Sequence, residues 1–153
     1  MPPIAAATST DLPEIVELLA SNGLPTVDVT PNAHFEFLVV RGSGRLAGVV
    51  AIESFGHVGL LRSLAVCAEH RGEGFGTALT RAAETHAART GLTTLVLLTQ
   101  TAEQFFRRRG YRLIDRQEAP AEVQKSSEFQ SLCPASAVCM VRELDSGEPR
   151  PPR

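Results

Sequence analysis

A glycine-rich turn between an apolar strand and an amphipathic helix is the feature that most constrains the fold of this chain. The turn is Arg71-Gly72-Glu73-Gly74-Phe75-Gly76-Thr77, and it follows an apolar run that predicts a strand over residues 60–67. Apolar residues then recur at helical spacing over residues 75–87, and the uncharged Leu/Val/Thr run 92–99 is typical of a strand covered on both faces. Strand, helix and strand in this order predict a β-α-β unit with two parallel neighbouring strands.

The rest of the chain alternates short predicted strands and helices. Helices are expected after the N-cap candidates Thr10 and Asp11, over residues 102–109 and, as a single turn, over 121–125. Strands are expected over residues 4–7, 35–41, 46–55, 111–116 and 137–144, with the turn Gly42-Ser43-Gly44 closing a hairpin. We expect one domain over residues 1–144 and a flexible, Pro-rich tail over 145–153.

Composition places the chain among ordinary globular proteins. Its 153 residues are 43% hydrophobic and 21% charged, with a formal net charge of −2, which argues against a mainly electrostatic nucleic-acid binder. No apolar run approaches the roughly 20 residues that span a bilayer, and no secretion signal is recognisable. Three cysteines cannot all pair, so we expect reduced thiols and a cytoplasmic location.

The glycine-rich turn has the properties of a phosphate site. Glycines let a ligand approach the backbone closely, and free N–H groups at a helix N-terminus favour an anion. Arg71 is a candidate for a charge-assisted contact. No Gly-Lys-Ser/Thr follows, so the sequence does not predict the P-loop of nucleotide hydrolases. The glycine spacing also differs from the dinucleotide fingerprint, so a dinucleotide-binding loop is not predicted either. A plain strand-to-helix turn is the alternative.

Two motifs resemble the GNAT superfamily of N-acetyltransferases. Arg71-Gly72-x-Gly74-x-Gly76 resembles the family signature Gln/Arg-x-x-Gly-x-Gly/Ala, and Thr99-x-x-Ala102-x-x-x-Phe106-x-x-x-Gly110-Tyr111 resembles Asn-x-x-Ala-x-x-x-Tyr-x-x-x-Gly-Phe. The order of predicted elements also agrees over residues 4–144. The resemblance implies a mixed, largely antiparallel central sheet with helices on both faces and a parallel β-α-β unit at the cofactor site.

The resemblance also implies acetyl-CoA as cosubstrate, without a metal. Its pantetheine arm would bond to backbone groups of Leu64, Ala65 and Val66 in a gap between two splayed strands, beside the helix that carries Phe106. Its pyrophosphate would lie on the turn formed by Arg71, Gly72, Gly74, Phe75, Gly76 and Thr77.

The residues for proton transfer depart from the family pattern. Where many relatives carry a tyrosine that protonates the thiolate, this chain has Phe106, so water or Thr101 would supply that proton. Glu53 is the nearest carboxylate for a general base, with a solvent-facing strand end as its alternative. His34 and His57 are further candidates, although a lone loop histidine is more often a surface residue.

Arg62 is a charged residue inside an otherwise apolar strand. A buried guanidinium is costly unless it meets an acid or an anionic ligand. Arg62 therefore either pairs with Glu53 or binds the carboxylate of an acidic acceptor, and the sequence leaves both open. Arg107, Arg108 and Arg109 are interpreted as a solvated helix end, with one contact to a CoA phosphate as the alternative.

The C-terminal segment 128–140 resembles small acetyltransferase-like proteins associated with arsenic resistance, which are similar to short N-acetylglutamate synthases. This resemblance implies a small-molecule amine acceptor, an acidic amino acid or an amino-bearing organoarsenical, and leaves a homodimer open. A weakly catalytic acyl-CoA sensor on the same fold is the second hypothesis. Arsenite or metal binding by Cys67, Cys133 and Cys139 is the third, and we favour buried small hydrophobes for these cysteines.

Overall fold

The computed structural model of the protein describes residues 2–31 and 33–144, so the predicted tail lies outside the described residues. These residues form seven strands and four α-helices. The strands are β1 (Ile4–Ala6), β2 (Phe35–Gly42), β3 (Arg45–Phe55), β4 (Val58–Val66), β5 (Thr94–Thr99), β6 (Arg112–Ile114) and β7 (Val138–Glu143). The helices are α1 (Leu12–Ser21), α2 (Phe75–Arg89), α3 (Glu103–Arg107) and α4 (Ala121–Gln124).

The predicted strands over residues 92–99 and 111–116 are shorter in the structure than their sequence patterns. The run 92–99 forms a strand only from Thr94, because the backbone N–H of Leu92 donates to Ala87 at the end of α2. The run 111–116 forms a strand only over Arg112–Ile114, because the N–H of Tyr111 donates back to Phe106. Backbone groups that close a helix are not available to a ladder.

The seven strands are hydrogen-bonded in the order β1-β2-β3-β4-β5-β7-β6. Antiparallel pairs join β1 to β2, β2 to β3, β5 to β7 and β6 to β7. The strands β4 and β5 are parallel, with Val58, Gly59 and Leu60 opposite Thr94, Leu95 and Val96. The mixed, largely antiparallel sheet with one parallel β-α-β connection is therefore confirmed.

The residues are grouped in two compact units. The first unit comprises the described residues up to Glu53 together with Leu61–Glu84. In its core, α1 packs through Ile15 and Leu19 on side chains of β2, β3 and β4. The hairpin between β2 and β3 turns at Ser43 and Gly44, which both have positive φ, as a two-residue turn requires.

The second unit comprises Ser54–Leu60 and the described residues from Thr85 onward. Its core joins the parallel pair, through Leu60 and Val96, to Cys139 and Val141 of β7. Ala119, which precedes α4, and Val123, which lies within α4, pack against these strands. The single domain over residues 1–144 stays a prediction.

Candidate functional site

The second half of β4 carries the predicted contact residues for a pantetheine arm. Ala65 is buried in the core of the first unit, while Leu64 and Val66 are half-buried. Ser63, immediately before them, has φ +58°, a left-handed conformation that non-glycine residues seldom adopt inside a strand. The ladder with β5 comprises only the pairs from Val58 to Leu60. Backbone binding by residues 64–66 and the splaying of the strands stay predictions.

The predicted phosphate turn leads directly into α2. Gly72 and Gly74 are exposed and have φ +83° and +87°. The carbonyl oxygen of Gly74 accepts the N–H of Ala78 at 3.1 Å, which makes Gly74 part of the first helical turn. Alternating left-handed residues before a helix expose successive backbone N–H groups, the arrangement that binds anions.

The first turn of α2 also suits an anion. This helix has 15 residues, and its first turn contains no acidic side chain. Phe75 is buried and anchors the turn, whereas Gly76 and Thr77 are half-buried. Thr80 donates its hydroxyl to the carbonyl oxygen of Gly76 at 2.8 Å.

Arg71 is exposed at the rim of the turn and is held by α1. Its Nη2 donates to Oδ1 of Asn22, the residue that follows α1, at 2.8 Å. Beside it, His70 Nδ1 lies 3.0 Å from the Glu73 carboxylate, and its imidazole meets the Phe75 ring edge-on. The phosphate contact by Arg71 stays a prediction, since its observed partner is Asn22.

In the second unit, Phe106 is an aromatic core residue. It is 6% exposed and packs edge-on against Phe105 and Tyr111, with ring centroids 5.0 and 5.4 Å away. Thr101 is exposed in the bend before α3. Thr99 fixes this bend, since its hydroxyl accepts the backbone N–H of Ala102 at 3.0 Å.

The other candidates of the second unit have local partners. Arg107 pairs with Glu103 at 2.8 Å, within α3. Arg109 donates to the carbonyl oxygen of Phe105 and lies over its ring, 3.6 Å from the centroid. The exposed His57 lies 3.4 Å from the carbonyl oxygen of Gly91. The interpretation of Arg107 and Arg109 as a helix end is consistent with these contacts.

Arg62 lies at the centre of a buried ion-pair cluster in the first unit, formed with Asp28 and Glu53. Its side chain is 0% exposed. The two terminal nitrogens reach the two carboxylate oxygens of Asp28 at 2.7 and 2.8 Å, and Nη1 also lies 3.4 Å from Glu53. The ring of Phe35, directly opposite Glu53 in the β2–β3 ladder, stacks on the guanidinium at 4.1 Å. Arg62 therefore pairs with Glu53, and it makes shorter contacts with Asp28.

Asp28 is the residue that the sequence analysis missed. It belongs to the segment between α1 and β2, which shows no periodicity and two prolines, and it is 34 residues from Arg62 in the chain. The one available signal was the buried arginine itself, since a buried guanidinium requires a carboxylate from some element. That requirement does not say which element supplies it.

The surroundings of Glu53 shift the pKa of its carboxyl group. Burial raises the pKa of Glu53 above its usual value, although the positive charge and hydrogen bond of Arg62 oppose the rise. The negative charge of Asp28 adds to it, and exposed His34 lowers it. The side chain of Glu53 keeps 17% of its surface exposed, so it can exchange protons with solvent or a ligand.

The three cysteines are free thiols. Cys139 is a buried core residue, and burial raises the pKa of its thiol to about 11, which keeps it a protonated hydrophobe. Cys67 and Cys133 are half-buried. Among residues 2–31 and 33–144, no group of histidine, cysteine and acidic side chains is placed to hold a metal ion, and no helix is long and apolar enough to cross a membrane.

The fold is similar to those of solved acetyltransferases. N-acetylglutamate synthase from Neisseria gonorrhoeae, complexed with coenzyme A and N-acetyl-glutamate, superposes with a TM-score of 0.77 at 24% identity, over 94% of this chain and 35% of that chain. A GNAT-family acetyltransferase from Staphylococcus aureus gives a TM-score of 0.78 at 15% identity, covering 94% and 99%. Rv2747 from Mycobacterium tuberculosis, in complex with CoA and a second ligand, gives 0.76 at 23% identity, covering 94% and 99%.

The chain therefore spans about a third of the length of the gonococcal synthase. No curated protein matches the chain. Residues 33–113, more than half of the sequence, match the family described as "Acetyltransferase (GNAT) domain". This match includes β2 to β5, the glycine turn, α2 and α3. The chain belongs to the GNAT family of acetyltransferases.

Proposed function

We propose that the protein is an acetyl-CoA-dependent N-acetyltransferase that acetylates the amine of a small molecule. The observation that carries the proposal is the turn of Gly72 and Gly74 at the N-terminus of α2. Its exposed left-handed backbone, the absence of an acid in the first helical turn and the adjacent Arg71 suit a pyrophosphate. The CoA complexes of structural relatives support the same cosubstrate.

The proposed reaction is direct transfer between two bound substrates. The free amine nitrogen attacks the thioester carbonyl carbon, so that a C–N bond forms, the C–S bond breaks and the thiolate leaves. Glu53 accepts the proton that the ammonium loses, since its carboxyl is partly exposed and its raised pKa makes it a stronger base than an ordinary glutamate. The nitrogen loses a second proton as the amide forms, and this proton reaches the thiolate through water or Thr101, so that coenzyme A leaves as the free thiol. Leu64, Ala65 and Val66 would hold the pantetheine arm through their backbone.

The chemistry of the acceptor depends on what Arg62 binds. The C-terminal resemblance implies an acidic amino acid or an amino-bearing organoarsenical as acceptor, and with it a role in arsenic resistance. Binding of an anion by Arg62 would support the acidic group. N-acetyl-glutamate bound to the gonococcal synthase is in line with an acidic acceptor. However, Asp28 already occupies the Arg62 fork. We therefore propose an acceptor that carries an amine, and we do not propose that it carries an acidic group.

The second candidate function is a weakly catalytic acyl-CoA sensor. It is favoured by Phe106, which is buried among aromatic rings and has no hydroxyl to donate. A sensor would bind acetyl-CoA as tightly as an enzyme does but would release no thiol in the presence of any amine.

Two measurements on the full chain separate these functions. Calorimetry with acetyl-CoA tests the cofactor site, and thiol release over a panel of small amines tests the transfer. We expect binding together with amine-dependent thiol release. Binding without release would favour the sensor, and the absence of binding would refute both functions.

A first prediction concerns Phe106→Tyr, which adds a hydroxyl where many relatives carry one. Because the fold accommodates a tyrosine at this position in those relatives, we expect the variant to fold and to bind acetyl-CoA like the parent. If thiolate protonation limits turnover, kcat rises, and otherwise it stays the same. Phe105→Tyr, the same change at the half-buried neighbouring ring, is the control. Loss of folding in Phe106→Tyr alone would show that the side chain does not lie beside the cofactor.

A second prediction concerns the pH dependence set by Glu53. Glu53 can accept a proton only when its carboxyl group is ionised. The rate is therefore expected to fall as the pH falls through the Glu53 pKa, which lies above the ordinary value of 4.5. Glu53→Gln is expected to remove this inflection and to lower kcat by about 100-fold, the lower end of general-base effects. Glu17→Gln, on an exposed position of α1, is the control. An unchanged profile in Glu53→Gln would exclude Glu53 as the base.

A further inference from the structure

The Arg62 fork is a receptor for a planar carboxylate, and the chain itself fills it. Arginine binds a carboxylate best through two parallel N–H···O contacts, and Asp28 makes both, at 2.7 and 2.8 Å. The remaining Nε–H of the fork donates to the Ser63 hydroxyl at 3.3 Å. A second carboxylate at the same place would have to displace Asp28.

The exposed part of the cluster is anionic. The guanidinium is fully covered, whereas the side chains of Asp28 and Glu53 keep 18% and 17% of their surface exposed. A ligand that approaches from solvent therefore meets two carboxylates before it meets the arginine. A positive ammonium is attracted to this surface, and an additional carboxylate is repelled.

The cluster is also next to the proposed site of transfer. Only Ser63 separates Arg62 from Leu64, the first proposed contact of the pantetheine arm, and Glu53 is the proposed base. An acceptor amine that reaches Glu53 therefore has its α-substituent close to Asp28. This step rests on the proposed function, since it places the acceptor beside residues 62–66.

We propose that Asp28 is a specificity-determining residue, which closes the Arg62 fork and makes the site select amines over the corresponding α-amino acids. The selected acceptor is a small amine without a carboxylate beside its amino group. An open fork would have the opposite preference, because it would bind that carboxylate bidentately.

The experiment compares amines with their carboxylated counterparts in matched pairs. Phenethylamine with phenylalanine, histamine with histidine, and cadaverine with lysine each differ by one α-carboxylate. The full chain, Asp28→Ser and the control Glu14→Gln are assayed for acetyl-CoA-dependent thiol release. Glu14 is a matched control, because it is a partly exposed carboxylate beside a different arginine of the same unit, Arg41, at 3.3 Å.

We expect the parent to have a kcat/KM at least about tenfold higher for the amine of each pair, because Asp28 and Glu53 repel the added carboxylate. Asp28→Ser is expected to lose most of this preference, chiefly through a gain on the amino acids, while Glu14→Gln keeps it. A merely structural role would lower both members of a pair equally, and that result would overturn the proposal. A parent that prefers the amino acids would also overturn it, while leaving the acetyltransferase function intact.

A second variant and a second readout cover the remaining outcomes. If Asp28→Ser does not fold, Asp28→Asn keeps the shape and removes the charge, and a smaller shift in the same direction is expected. If the parent binds acetyl-CoA but releases no thiol, the enzymatic function fails. Calorimetry of the same pairs on the CoA-bound protein then decides about Asp28, since equal affinities within the pairs, or no binding of either member, would overturn the proposal.

Discussion

Gly74→Val is expected to lower the affinity for acetyl-CoA by about 100-fold or more. Gly74 has φ +87°, a conformation that costs a β-branched residue roughly 1–3 kcal/mol, and the isopropyl group would also cover the N–H groups that we propose as phosphate ligands. Loss of two charge-assisted hydrogen bonds would account for an effect of this size. The measurement is calorimetry with CoA on a variant shown by circular dichroism to be folded.

The chain offers a matched control for the backbone strain. Gly44 has φ +83° and belongs to the same unit, but it lies in the hairpin turn between β2 and β3. Gly44→Val should lose a similar amount of stability and keep its affinity for CoA. Equal CoA affinities in the parent and a folded Gly74→Val variant would show that the turn does not bind the pyrophosphate.

The glycine turn illustrates what could be predicted from the sequence. Glycine is the residue that most readily adopts a left-handed backbone at such a turn, and Gly72 and Gly74 are both left-handed. The strands β2 to β5 and the helix α2 follow from local periodicity, which depends on neighbouring residues alone. The start of β5 was placed two residues early, because Leu92 is as apolar as the strand but donates its N–H to α2.

The Arg62 cluster illustrates what could not be predicted. The need for a carboxylate was evident from one buried arginine, and Glu53 was found because it lies on the neighbouring strand. Asp28 could not be found, since no periodic pattern links a residue of an irregular segment to a strand 34 residues later. Likewise, the left-handed Ser63 has no sequence signal, because serine in an apolar run is indistinguishable from an ordinary strand residue.

Arg62→Met is expected to lower the free energy of unfolding by about 3–5 kcal/mol, the cost of removing one partner from a buried ion pair. Met replaces the aliphatic stem and leaves Asp28 and Glu53, both less than one-fifth exposed, without their guanidinium. Phe35 also loses the cation on its ring. Urea denaturation of the parent and the variant measures the difference.

The first unit contains a second cluster of one arginine and two carboxylates, which isolates the effect of burial. Arg41 pairs with Asp11 and Glu14, but its side chain is 39% exposed, so Arg41→Met should cost no more than about 1 kcal/mol. Adding Asp28→Asn to Arg62→Met should restore part of the lost stability, because it removes one uncompensated carboxylate. Equal losses from the two arginine substitutions would contradict the view that the buried fork organises this part of the fold, since burial is the main difference between the two clusters.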